Sequence, residues 1–424
     1  MKQHTVYIEK NEISEFCSSS NSSLVGYAYE WENEDVIHMH LYPIKHSFGN
    51  VSRVLFTKND NYDIEGRTCR FIVVANMDSN GIICCTIKEK VLDETYEIPF
   101  NYIPSQNELY SRNKGLLELD ILKEKRVSII GLGSFGSQIA IELAKAGVGL
   151  FSIFDFDRVE LHNLARHTST KNDLGRLKTD VIEDSIKGKN PYAIVNKYPI
   201  NINKEIDILD DEIAKTDIVI CATDNNSSRY NISKLLVKHQ KIGIFGRAIT
   251  RAEGGDVFKY VPGGPCYSCL IGTMALPNDE VSSEASGLRS GAIRGYMNAD
   301  DVEAVVQVGL SADIEPICNL MVKLTLVELS KGLQSGISSL ENDFVFNYYI
   351  WANRRERHYA RWPEFPKSAN RPTIMRWYGA MINKNEGCPI CSPENVVLDE
   401  GESLYGDNPT VPDMTDVSLD IESN

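Results

Sequence analysis

The hexapeptide Gly131-Leu132-Gly133-Ser134-Phe135-Gly136 constrains this chain more than any other stretch. It follows Arg126-Val-Ser-Ile-Ile, a strand-like run, and opens SQIAIELAKAG, a run with helical periodicity. A strand that turns on glycines into a helix lets backbone approach a ligand closely. It also offers the helix's free N–H groups and positive dipole end to phosphate. Asp155 ends the next strand-like run, 24 residues after Gly131, where a ribose hydroxyl would be met. The loop alone does not separate a dinucleotide from ATP, since both carry a ribose and phosphates. A Walker A loop is absent, which excludes a P-loop ATPase.

Organisation along the chain supports the same frame. LFSIFDFD from Leu150, DIVICATD from Asp217 and KIGIFGRA from Lys241 read as strands alternating with helical runs such as NISKLLVKHQ. That alternation predicts an α/β, Rossmann-like fold with a mixed, mostly parallel sheet and helices on both faces. A helix is predicted from about Pro316 to Gly332, with Pro in its first turn and Gly as its stop. Residues 1–105 differ. There VIHMHLYPI from Val36, RFIVVANM from Arg70 and IICCTIKE from Ile82 read as strands of a small α+β domain. His38 and His40 share one strand face, with His46 and Asp60 nearby, and read as packing or surface residues rather than a metal site. The expected domains are 1–105, 106–392 and a tail, 393–424.

Charge and cysteines narrow the class. The 424 residues carry a net charge of −15, which argues against a nucleic-acid partner, because phosphate contacts need Lys and Arg. Nine acids and no Lys or Arg fall between Ser392 and Asn424, a solvated, disordered tail by composition. Opposite charge lies upstream in Arg354, Arg355, Arg357, Arg361, Lys367, Arg371 and Arg376, interleaved with Tyr359, Trp362 and Trp377. No apolar run reaches membrane-spanning length and no export signal is seen, so a cytoplasmic setting is expected. Ten cysteines then read as reduced thiols or metal ligands. Cys266-Tyr-Ser-Cys269 and Cys388-Pro-Ile-Cys391 make two knuckles, separated by 118 residues, that suit a closed tetrahedral Zn2+ site. Chemistry at ATP phosphates needs cations and a carboxylate for Mg2+, and Arg166, Lys178 and Asp224 supply those types.

Taken in order, these segments resemble the ThiF/MoeB/ubiquitin-activating (E1-like) family of adenylating enzymes, from about Gln106 to Gly332 plus the Cys388 segment. The resemblance implies that Gly131, Gly133, Gly136, Asp155, Asp157 and Asn163 cradle the nucleotide. Asn163 and Arg166 match an NLxRQ motif, with His167 in place of Gln. Lys178 matches a phosphate-contacting lysine and Asp224 an Mg2+-binding aspartate. Tyr110-Ser-Arg112 resembles a YxRQ segment, with Asn113 for Gln, whose arginine reaches into a partner subunit's site, which implies a homodimer. In the family's autophagy-type members the acyl-accepting cysteine lies five residues before the proline of the late helix. Here Ser311 stands at that position, and Cys318 within the helix reads as packing. The N-terminal unit resembles, weakly, a degenerate JAB-type domain, and docking is its expected role. The implied function is ATP-dependent activation of the C-terminal carboxylate of a ubiquitin-like protein, with a conjugating-enzyme partner, as in bacterial conjugation operons linked to antiphage defence. Activation of a peptide or sulfur-carrier protein is the alternative within the class. An NAD-binding oxidoreductase and an inactive scaffold are the alternatives outside it.

Overall fold

A computed structural model describes residues 5–31, 35–44, 50–59, 68–92, 94–103, 106–273, 309–334, 336–356, 359–361 and 373–392. His46, Asp60, Arg357, Trp362, Lys367, Arg371 and the expected tail from 393 lie outside the described residues. Packing divides the chain into Met1–Arg112 and Asn113–Asn424.

The first unit holds strands β1 (Thr5–Glu9), β2 (Ser23–Glu30), β3 (Val36–His40), β4 (Asn50–Thr57), β5 (Phe71–Met77), β6 (Ile83–Val91), β7 (Glu94–Ile98) and β8 (Phe100–Ile103). They form one mixed sheet in the order β7-β6-β5-β4-β2-β3-β1-β8. Helix α1 (Lys10–Ser18) covers it through Ile13 and Phe16, both fully buried among Val6, Ile8, Val54, Phe71 and Val73. On β3 the alternation sends Ile37 and Met39 into this core. His38 and His40 take the other face, with ring centroids 6.4 Å apart and Tyr7, Tyr29 and Trp31 against them. They are members of an aromatic packing cluster. Cys17 lies half-buried in α1.

The second unit contains β9 (Arg126–Ile130), α2 (Ser134–Ala146), β10 (Leu150–Phe154), α3 (Lys178–Lys189), β11 (Ile194–Tyr198), α4 (Ile206–Lys215), β12 (Ile218–Cys221) and α5 (Asn226–His239). After these come β13 (Ile242–Ala248), β14 (Gly254–Tyr260), α6 (Tyr267–Thr273), α7 (Ser311–Ser330), β15 (Tyr348–Ala352) and β16 (Arg376–Ala380). Strand order is β11-β10-β9-β12-β13-β14-β15-β16. The first five strands run parallel; β14, β15 and β16 extend the sheet antiparallel. The fold class is α/β, as the alternating pattern predicts.

Period-two alternation explains how each strand serves two cores. Val127, Ile129, Ile153, Ile220 and Ile244 point to one face, where α2, α3 and α7 bring Ile139, Leu143, Ile182, Ile317 and Met321. Ile130, Phe154, Val219, Phe245 and Phe258 point to the other, where α4, α5 and α6 bring Leu209, Ile213, Ile232, Leu236 and Tyr267. Among the described residues no helix is long and apolar enough to cross a membrane.

One boundary departs from expectation. The late helix begins at Ser311, five residues before Pro316, so the proline lies inside it. Its missing N–H forfeits one intrahelical bond, to the Ala312 carbonyl. The buried stripe Ile314, Ile317, Cys318, Met321 runs across the proline and holds the extra turn. Asp313 complements the dipole in that first turn and is paired with Arg354. The far end matches expectation: Gly332 follows with φ +72°.

The antiparallel extension is joined by a buried ion pair. Arg247 on β13 donates to both oxygens of Asp256 on β14, at 3.0 and 2.6 Å, and Tyr348 on β15 donates to the same carboxylate at 3.1 Å. Removing one member of such a pair strands the other charge, whereas replacing both with apolar groups is often tolerated. Asp256→Ala is expected to lower unfolding free energy by about 3–5 kcal/mol. Arg247→Met with Asp256→Leu should recover most of that loss in chemical denaturation.

Candidate functional site

The strand order reverses between β9 and β12: the chain leaves β9 for β10 on one side and later returns to β12 on the other. A crevice at the carboxyl ends of the strands opens at such a switch point. The glycine loop stands there. Gly131 has φ +88°, and a Cβ on it would lie 2.7 Å from the Ala222 carbonyl oxygen, so only glycine lets the loops after β9 and β12 meet. A Cβ on Gly136 would lie 1.9 Å from the Gly131 oxygen, which is why the first turn of α2 seats directly on the loop. At Gly133, the N-cap of α2, a Cβ would meet nothing within 4 Å. That side of the loop is open to a ligand.

The residues around the loop divide into those that hold it and those that face the crevice. Asp155, at the end of β10, accepts the Leu132 N–H at 2.7 Å on one oxygen and the Asp157 N–H at 2.8 Å on the other. Burial pushes its pKa up, against the pull of Lys178 and of these two donors. Asp157 in turn holds Lys178 Nζ at 2.8 Å and accepts the Lys178 N–H on its own carbonyl. The lysine opens α3 and is 8% exposed, a nearly buried cation kept in place by one carboxylate. Asn163 uses its side-chain oxygen on the Glu160 N–H at 3.0 Å, and its carbonyl accepts the N–H groups of Arg166 and His167. Its observed work is to shape the turn that presents those two residues.

Arg166 is partly buried, which pulls its guanidinium below the usual range. Its carbonyl accepts from Ser134 Oγ at 3.2 Å and Gln138 Nε2 at 3.3 Å, both on α2. Gln138 Nε2 also reaches Ser311 Oγ at 3.2 Å, so the first turn of α7 is drawn to the same place. Arg166, Gln138, Ser311, Glu315 and Asn319 line a cavity of about 490 Å³. The Ser311 hydroxyl donates to Glu315 Oε1 at 3.5 Å. Cys318 borders this cavity but is 3% exposed, and burial pushes its thiol well up, the reverse of what a nucleophile needs. Asp224 is exposed beside Asn225, the N-cap of α5, and stands just past Ala222, the residue that Gly131 meets. Arg112 is exposed in the turn that ends the first unit. Gln138 and Glu315 were not legible as site residues, since each reads as the polar side of an amphipathic helix.

Two implied metals find different settings. Asp224, an exposed carboxylate two residues past the Ala222 that Gly131 meets, is of the type Mg2+ takes, one or two carboxylates with water and substrate phosphates filling the shell. The four cysteines meet against the second core: Cys266 and Cys388 sulfurs are 3.5 Å apart, Cys269 and Cys391 3.4 Å, Cys266 and Cys269 3.9 Å. These spacings are far above a disulfide's and close to the ~3.8 Å edge of a tetrahedron with ~2.3 Å metal–sulfur bonds. All four ligand atoms lie within 4.8 Å of one another, and the Asn385 N–H points at Cys269 Sγ at 3.4 Å as an outer-shell donor. The donor set fits structural Zn2+ and leaves no open position. Purified protein should carry about one zinc per chain by elemental analysis. Cys388→Ser should lose it and lower Tm by more than about 2 °C, the shift for about 1 kcal/mol in a domain of this size. A metal-free chain with unchanged Tm would remove the assignment.

Comparisons with known proteins bear on the family. The model described as "ThiF family" matches residues 107–371. The Anopheles gambiae "Adenylyltransferase and sulfurtransferase MOCS3" is 30% identical over 208 residues, 48% of this chain and 46% of that one. The Escherichia coli K12 "Molybdopterin-synthase adenylyltransferase" is 35% identical over 158 residues, 36% of this chain and 60% of that one. The chain spans about half the length of the MOCS3 relatives it matches. Among solved structures, Escherichia coli MccB with succinimide aligns at 18% identity and TM-score 0.46, covering 68% of this chain and 75% of that one. With more than half of its length matched by the family's model, and with the glycine loop at the switch point of an α/β sheet, this chain belongs to the ThiF family.

Proposed function

We propose that this protein is an ATP-dependent adenylyltransferase that activates the C-terminal carboxylate of a small protein, ubiquitin-like in class. The observation that carries the reading is what surrounds the open glycine loop: Gly131 meets Ala222, two residues before the exposed Asp224, and Asp155, which holds the Leu132 N–H, is linked through Asp157 to the buried Lys178. Hydride transfer to a dinucleotide would need neither the lysine nor the aspartate. An inactive scaffold would have no use for a lysine kept buried at the loop.

A free carboxylate is a poor electrophile. In the proposed reaction one of its oxygens attacks the α-phosphorus of ATP, the bond to the bridging oxygen of the β-phosphate breaks, and pyrophosphate leaves. The product is a mixed anhydride with AMP. The protein's part is positioning and charge neutralisation. The α2 N-terminus and the loop amides face the phosphates, Asp155 lies where the ribose is expected, and Lys178 and Arg166 offset developing negative charge. Mg2+ held at Asp224 would supply further charge neutralisation at the phosphates. Arg112 of the partner subunit would add a cation in a homodimer. A hydroxyl is a weak nucleophile without a base. Ser311, beside Glu315, is the candidate acceptor: its oxygen would attack the acyl carbon of the anhydride, its proton passing to Glu315 and AMP leaving, to give an oxyester for transfer to a conjugating-enzyme partner. A sulfur-carrier substrate is the second reading, favoured by the relatives' names, which pair adenylyltransferase with sulfurtransferase or molybdopterin synthase.

Isotope exchange between pyrophosphate and ATP, with candidate small proteins ending in glycine, tests the activity. Asp224→Ala and Arg166→Ala should each slow exchange by about a hundredfold or more, the scale for one preorganised electrostatic group. Normal exchange in both variants would refute these roles. Intact mass after ATP and substrate should show a hydroxylamine-labile adduct that Ser311→Ala abolishes; no adduct would mean direct transfer from the adenylate.

A further inference from the structure

The position where the family motif has Gln carries His167, and its contacts are unusual for a residue beside a phosphate site. It is 8% exposed. Its Nδ1 lies 3.0 Å from the Ser169 N–H, which can only donate, so Nδ1 is an acceptor and carries no proton. The proton is therefore on Nε2, which donates at 2.8 Å to the carbonyl oxygen of Leu132, inside the glycine loop. Leu132 is thus held at both ends of its backbone, its N–H by Asp155 and its carbonyl by His167.

A trans peptide is planar, with C=O and N–H pointing to opposite sides. Fixing the Leu132 carbonyl therefore fixes the Gly133 N–H, which lies in the same peptide plane and points away from His167. Gly133 is the loop glycine whose Cβ position is open space. We propose that His167 is a positioning residue of the nucleotide site: as the neutral Nε2–H tautomer it pins the Leu132–Gly133 peptide so that the Gly133 amide is aimed at a bound phosphate, and protonation of the ring undoes this by setting two donors, Nδ1–H and Ser169 N–H, against each other. The inference rests on the nucleotide-binding reading above and concerns how the loop is kept in its binding shape.

The surroundings favour the neutral ring. Burial pulls the His167 pKa down, the Leu132 carbonyl bond pushes it up, the Lys178 cation pulls it down and Asp173 pushes it up, with a net fall. Arg166, its chain neighbour, adds no negative charge. The sign follows. The contribution is fully present above about pH 6.5, the ordinary imidazole value, and is lost as pH drops through the depressed folded value.

The test is the affinity of the full chain for ATP with Mg2+, by calorimetry at pH 7.5 and 5.5, for the wild type, His167→Ala and His167→Gln. Gln carries an NH2 donor group and a carbonyl acceptor and does not titrate, so it can keep both bonds. The expected results are binding weaker by about tenfold in His167→Ala at pH 7.5, the scale of one lost hydrogen bond, and near wild-type binding in His167→Gln. Acidification should weaken the wild type more than His167→Gln; titration of the ATP phosphates themselves affects both alike. Circular dichroism melts confirm that each variant is folded. Equal affinities in the wild type and a folded His167→Ala, or the same acid loss in the wild type and His167→Gln, would overturn the inference while leaving the nucleotide site standing. Should His167→Ala not fold, the wild type against His167→Gln pH comparison decides alone. No ATP binding by the wild type would remove the underlying reading and this inference with it.

Discussion

A single half-buried carboxylate organises the candidate site. Asp155 takes one main-chain N–H from the glycine loop and one from the segment that follows β10. Its burial raises the cost of its charge, and that cost is offset by the two donors and by the Lys178 cation nearby. Because Asp157, the second donor, also holds Lys178, one short turn fixes the phosphate loop and the lysine with respect to each other. Preorganisation of this kind is what a reaction with little covalent work for the protein requires. The observed hydrogen bonds show what holds the frame: Asp155 and Asp157 tie the glycine loop to Lys178, and Asn163 shapes the turn that carries Arg166.

How much of this was legible follows from the kind of signal each feature leaves. Alternating apolar runs announced the parallel strands, because a strand buried on both faces must be apolar throughout. The glycines announced the loop, since Gly131 and Gly136 stand where a methyl would strike backbone oxygens. The α7 boundary was misplaced because proline is a strong local stop and the tertiary stripe from Ile314 outweighs it. The capping role of Asn163 and the tautomer of His167 were beyond a single sequence. Both depend on which main-chain groups the fold brings within 3 Å, and side-chain identity carries no trace of that.

The far half of the sheet shows a different economy. The parallel strands need no special device, since helices cover both faces and each strand feeds two cores. The antiparallel extension ends near the chain's last described segment, with β16 at an edge. Two buried polar assemblies secure it: the Arg247–Asp256–Tyr348 network across β13, β14 and β15, and the four-cysteine cluster that ties the segment after β16 to the start of α6. A closed metal site stabilises by holding remote segments together, and 118 residues lie between these knuckles. The two candidate sites are thus separated: the crevice lies at the carboxyl ends of β9 and β12, and the cysteines lie against α6.

The link between α2 and α7 bears on where an activated acyl group could go. Ser134, Gln138 and the Arg166 carbonyl form a hydrogen-bonded set at the phosphate end of α2, and Gln138 extends it to Ser311. The two helices are packed through Ile139, Leu143, Ile317 and Met321 in one core, so the distance from loop to Ser311 is set by side-chain packing rather than by a loose connection. Helix packing also explains why Cys318, seven residues along α7, is buried: two turns beyond Ser311 it packs against Phe135, with Sγ 4.0 Å from its carbonyl oxygen. In the first turn of the same helix Ser311 is half-exposed, with Glu315 one turn away on the same face, which is the setting the proposed acceptor would use.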